Sequence, residues 1–172
     1  MRYVEMIGDK GLQEAVRGFL LAHRDKVVVW PASLKYHHTE RGGLLRHTLE
    51  VCEISLGLME MPLLRGKCDR DHVLAAAILH DLGKIHDYAF HESDERAYFV
   101  YNNRNGRGIH HALNVILDFQ QETGYVLPKD VCKMVLSHEG GWSRTSAYPN
   151  FLGAALVSAS DLISSRIDRL KD

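Results

Sequence analysis

The chain has 172 residues, 45% of them hydrophobic, which suits one domain with a sizeable core. A net charge of -1 argues against a global basic field for nucleic acid or an acidic membrane, so such a partner would need a local patch. Three cysteines (Cys52, Cys68, Cys132) without CxxC spacing suit a reducing cytoplasm and argue against a disulfide framework or a thiolate zinc site. No leader peptide is visible, and no apolar run nears the roughly 18 residues that a membrane helix needs. Eleven histidines are the compositional outlier, and their positions carry the functional reading.

In chain order, Leu12, Ala15, Val16, Phe19 and Leu20 recur at helical spacing and predict a first amphipathic helix. Val27-Val28-Val29-Trp30-Pro31 breaks that period and reads as an extended segment or loop, since the residue before proline avoids helix. His37-His38 leads to Gly42-Gly43. A second helix then runs from Leu44 to about Met59, with His47, Val51, Ile54 and Leu58 on one side, and Met61-Pro62 ends it. Asp69 or Asp71 caps the next helix, which carries Ala75-Ala76-Ala77-Ile78-Leu79-His80-Asp81. Gly83 suits the left-handed residue that stops it.

Asp81 falls in that helix's last turn, where a carboxylate is disfavoured by roughly 0.3–1 kcal/mol unless a cation sits nearby. His80, beside it, is a metal-ligand type, so a divalent ion would answer both features. Residues 87–108 read as a long loop with a possible short hairpin at Tyr98-Phe99-Val100-Tyr101. Helix resumes from about Ile109 to Thr123. Pro128 opens another helix through Val131, Val135 and His138. A loop from Gly140 to Pro149 precedes a last helix, about Phe151 to Leu170. That helix holds Asp161 among Ala154, Val157, Ser158, Leu162 and Ser165, where a carboxylate needs a partner. The expected architecture is all-α: one domain over residues 1–172, with two loops across one face.

The order His47, His80-Asp81, His110 or His111, His138, Asp161 resembles the HD superfamily of metal-dependent phosphohydrolases. The segment Gly42-Gly43-Leu44-Leu45-Arg46-His47-Thr48-Leu49-Glu50-Val51 is similar to the first-histidine helix of HD domains in certain 3′–5′ exoribonucleases and conjugative relaxases. Leu79-His80-Asp81-Leu82-Gly83-Lys84 is similar to the family's most recognisable word. The resemblance covers about residues 30–168 and implies a single HD-domain helical bundle.

It further implies that His47, His80, Asp81 and Asp161 are the core ligands, with Asp81 able to bridge two ions. His138 and one of His110 and His111 would complete a second site. His110 is favoured because Leu113 and Leu117 share its side, while His111 faces Asn114 and Asp118. One or two divalent ions (Mn, Fe, Co, Ni, Zn or Mg) fit such mixed ligands, and would polarise a phosphoryl oxygen and acidify water. Asp81 and Lys84 would be catalytic, Lys84 meeting a phosphate oxygen. His37 and His38 are candidates to touch the substrate or to orient a ligand, and Arg41, Arg104 and Arg144 are candidates to bind its phosphate.

The expected substrate is a small phosphoester, a nucleotide or a relative of one. Nucleic acid is possible but not indicated by the charge. The residues after His138 are only loosely similar to the signature of cyclic di-GMP phosphodiesterases and do not select that substrate. Two other readings share the ligands, a di-iron oxygenase and a non-catalytic ligand-sensing module.

Overall fold

The helix that carries His80 is buried on every side, and the rest of the chain is arranged around it. The computed structural model describes residues 1–92, 97–101, 111–140 and 148–167. In chain order these form helices α1 (Lys10–Ala22), α2 (Arg24–Val27), α3 (Gly43–Met59) and α4 (Arg70–Leu79), strands β1 (Tyr88–Glu92) and β2 (Ala97–Tyr101), then helices α5 (His111–Thr123), α6 (Lys129–Ser137) and α7 (Leu152–Ile167). Short 3-10 turns occupy Val4–Met6 and Leu82–His86. No helix among the described residues is long and apolar enough to cross a membrane.

α4 starts where Asp69 accepts the His72 amide at 3.0 Å, satisfying one of the unpaired N–H groups of a helix start. Asp71, the other candidate cap, instead accepts the Asp9 amide at 2.7 Å and ties the N-terminal segment down. Val73, Leu74, the three alanines and Leu79 are fully buried. The small alanine side chains let α3, α6 and α7 all pack directly on α4. The site's helices therefore meet around one apolar axis, and His80 and Asp81 lie at its C-terminal end.

Two local expectations differ from what is observed. Gly83 is not a left-handed stop: the positive-φ glycines among the described residues are Gly42, Gly66, Gly124 and Gly140. The chain instead tightens into the 3-10 turn Leu82–His86. The valine run does not start extended. Val28 and Trp30 donate to the carbonyls of Arg24 and Lys26 at 3.0 and 2.8 Å, so helical turns continue into it. Strand propensity is weak without a partner strand, and burial of Val27 in the core outweighs it. The 87–108 segment does contain a hairpin. β1 and β2 pair antiparallel with Tyr88 opposite Tyr101 and Phe90 opposite Phe99, and Trp30 packs against Phe99.

Candidate metal centre

Five helices each deliver part of one buried cluster. α3 supplies His47, the end of α4 supplies His80 and Asp81, α5 opens on His111, α6 ends at His138, and α7 carries Asp161. Asp81 stands at the centre with its two oxygens turned to different partners. Oδ2 lies 3.5 Å from His47 Nε2 and 3.7 Å from His80 Nε2. Oδ1 lies 3.2 Å from His111 Nε2 and 3.5 Å from His138 Nε2. Asp161 Oδ1 approaches His47 Nε2 at 3.0 Å. Two trios, His47–His80–Asp81 and Asp81–His111–His138, each bring their donor atoms within 4.8 Å of one another.

The hydrogen bonds behind these side chains show what faces inward. His80 Nδ1 is 2.8 Å from the Ala77 carbonyl and His138 Nδ1 is 2.6 Å from the Val135 carbonyl. A carbonyl only accepts, so both Nδ1 atoms carry protons, and in the neutral rings Nε2 keeps its lone pair. Yet His80 Nε2 lies 3.2 Å from His47 Nε2, and His111 Nε2 lies 3.3 Å from His138 Nε2. Asp81 Oδ1 is buried and makes no hydrogen bond. Lone pairs and anionic oxygens thus converge in a place nearly free of solvent, and only positive charge balances them. The donor set fits divalent cations held by nitrogen and oxygen, with outer partners fixing the tautomers.

Titration behaviour follows the same logic. Burial pushes His80 down to about 4, and it likewise lowers His111. His138 goes the other way: burial opposes its charge, but Asp81 and Asp161 pull its pKa upward. Burial would raise Asp81, but Lys84 above all holds it well below the usual carboxylate range. Lys84 Nζ lies 2.6 Å from Asp81 Oδ2, its side chain 15% exposed at the edge of the cluster. Beyond it opens a cavity of about 640 Å³, lined by His37, Asp81, Lys84, Tyr88, His111 and Asp161 among others.

The remaining expected residues divide. His37 lines the cavity, and His38 is buried behind it with Nε2 3.0 Å from Glu50. Arg41 is exposed and does not line the cavity. His110, Arg104 and Arg144 lie outside the described residues. The reason for favouring His110 does not hold, because Leu113 and Leu117 are 40% and 49% exposed and mark no inward face. His111 sits in the cluster, followed by buried Val115 one turn on.

Two features escaped the sequence reading. Glu50 and Ser164 form a polar layer behind His47, with Ser164 Oγ 2.9 Å from His47 Nδ1. Glu50 is the one carboxylate three residues beyond His47 on that helix, which was the available signal. Gly83 and Gly43 permit close backbone approach: a Cβ at Gly83 would collide with the His111 carbonyl, and one at Gly43 with the His38 carbonyl. Gly83→Ala is therefore expected to cost about 1–3 kcal/mol by forcing α5 away. Urea denaturation would read that loss, and manganese titration should show weaker binding on the His111–His138 side. Wild-type stability in the variant would contradict the tight approach.

The HD domain family model matches residues 44–171. Dihydroneopterin 2′,3′-cyclic phosphate phosphodiesterase of Methanocaldococcus jannaschii is 31% identical over 140 residues, 80% of this chain and 52% of that protein. The 3′-5′ exoribonuclease YhaM of Oceanobacillus iheyensis is 34% identical over 74 residues, 43% of this chain and 22% of that protein. YhaM of Shouchella clausii is 33% identical over 87 residues, 50% of this chain and 26% of that protein. The chain thus spans about half the length of the first relative and about a quarter of the exoribonucleases. No solved structure matches it.

Proposed function

The chain belongs to the HD domain family, and on that footing we propose that it is a metal-dependent phosphohydrolase that cleaves a small phosphodiester. The observation that carries this reading is Asp81, which offers one oxygen to each of two imidazole pairs while Lys84 reaches it from the cavity side. In this reading His47, His80, Asp81 and Asp161 would hold one divalent ion, and Asp81, His111 and His138 would hold a second. Such ions supply positive charge to a phosphoryl oxygen and acidify the attacking water.

The chain's own residues then account for binding and orientation. Lys84 turns from Asp81 to a non-bridging phosphate oxygen, a move of one side chain at the cavity edge. His37 and the rings of Tyr88 and Tyr101 wall the space where the rest of the substrate lies. At about 640 Å³ the cavity falls within the roughly 300–1,000 Å³ of small-molecule sites. That size favours a mononucleotide-like compound over a long strand, in keeping with the near-neutral net charge. The M. jannaschii relative bears the name of a cyclic phosphate phosphodiesterase, which supports a cyclic phosphodiester on a ring compound as the first class to assay. Residues 1–172 act as one HD unit in this account.

The test is turnover of bis-(p-nitrophenyl) phosphate and 2′,3′-cyclic nucleotides under anaerobic conditions with Mn, Co, Ni or Mg. Cleavage with these ions is expected, because hydrolysis needs a Lewis acid and no change of valence. Activity that requires iron and consumes dioxygen would overturn the reading in favour of an oxygenase. Metal binding without any turnover would favour a sensing module.

A further inference from the structure

We propose that Glu50 is a positioning residue for the metal centre, setting through two hydrogen-bond chains which nitrogens of His47 and His37 face the site. The proposal rests on the metal-binding reading above. Glu50 lies on α3, outside the ligand set, and its two oxygens have separate duties. Oε1 accepts Arg46 Nε at 3.1 Å. Oε2 accepts Ser164 Oγ at 2.7 Å and lies 3.0 Å from His38 Nε2.

A carboxylate only accepts, so each chain has a direction. The single hydroxyl proton of Ser164 goes to Glu50, and towards His47 Nδ1, 2.9 Å away, the serine oxygen must accept. His47 Nδ1 therefore holds the proton, and Nε2 presents its lone pair to His80 and Asp161. In the second chain His38 Nε2 donates to Glu50, so the Nδ1 of neutral His38 is an acceptor. His37 Nδ1, 3.1 Å from it, must then donate, which leaves Nε2 as the lone-pair nitrogen of a ring that lines the cavity. His38 holds this place at φ 46, a left-handed conformation rare for a residue with a side chain, and its carbonyl packs where Gly43 has no Cβ. One carboxylate thus orients a first-ion ligand from α3, through a hydroxyl of α7, and a cavity histidine from the preceding loop.

Glu50→Gln tests the direction of donation with almost no change of shape. Arg46 only donates, so it keeps the amide oxygen at the Oε1 position and forces the NH2 group to the Oε2 position. The NH2 group would then donate to Ser164 and His38. Ser164 would donate onward to His47, moving that proton to Nε2, where it blocks ligation. Mn²⁺ titration of demetallated protein is expected to show about 10–100-fold weaker binding, the usual cost of a lost outer partner. Arg46→Ala in the Glu50→Gln background frees the amide to turn and should recover most of that loss, whereas Arg46→Ala alone should change affinity little.

Nitrogen-15 NMR of the demetallated wild type gives a readout that does not depend on any variant folding. It should place a proton on His47 Nδ1, His38 Nε2 and His37 Nδ1. A Glu50→Gln affinity within twofold of wild type, a double variant no better than the single one, or a His47 proton on Nε2 alone would each overturn the relay. Wild-type protein that fails to bind Mn²⁺ would instead overturn the metal reading, while the NMR assignment would still decide the relay.

Discussion

Asp81→Asn is expected to abolish binding of both ions and phosphodiester turnover together. Asp81 is shared by the two donor trios: its oxygens lie 3.5 and 3.7 Å from the first imidazole pair and 3.2 and 3.5 Å from the second. An amide carries no charge and replaces one oxygen with an NH2 group that only donates, so it can neither bridge two cations nor offset them. Turnover should fall by more than the about 10²–10³-fold that one positioned electrostatic donor is worth, because binding of both ions is lost with the bridge. Metal analysis and bis-(p-nitrophenyl) phosphate hydrolysis would read the two losses in one preparation. A thermal-shift comparison adds an independent measure: a ligand at 100 times its Kd adds about 2.7 kcal/mol to the folded state. Added manganese should therefore raise the melting temperature of wild type and leave that of the variant unchanged. A variant that still holds one ion per chain would show that Asp81 does not bridge.

Much of this centre is visible in local sequence because helix periodicity carries it. His47 shares a face with Leu44 and Val51, both fully buried in the fold, so its inward direction follows from spacing alone. Asp161 was identifiable by discord, a carboxylate among small residues, and it lies 3.0 Å from His47. What periodicity could not reach is long-range pairing. Glu50 and Ser164 are 114 residues apart, and nothing in either neighbourhood points to the other. The histidine pair at 110 and 111 shows a different limit. Near a helix start the period has few residues to establish a phase, and leucines at 113 and 117 that suggest an inward face are in fact half-exposed. Gly83 is a third kind: the residue type was noticed, but its role is the close passage of the His111 carbonyl and not a left-handed turn. Only the tertiary neighbour reveals that.

Lys84→Met separates binding of metal from use of it. The lysine ammonium lies 2.6 Å from Asp81 Oδ2, the same oxygen that faces His47 and His80, so it would compete for that charge with an ion held there. Methionine keeps the unbranched stem at the cavity edge and deletes the cation. Metal affinity should then hold or tighten, while kcat/KM falls by about 10²–10³-fold for want of a charged donor to the phosphate. Lys84→Arg should restore part of the rate, since the charge returns with a different reach. Although burial disfavours its charge, the attraction of Asp81 raises the lysine pKa. If Lys84→Met lost its metal along with its activity, the lysine would be holding Asp81 in place and the phosphate role would fall. If it hydrolysed phosphodiesters at the wild-type rate with metal bound, the cavity would be receiving the phosphate through some other group.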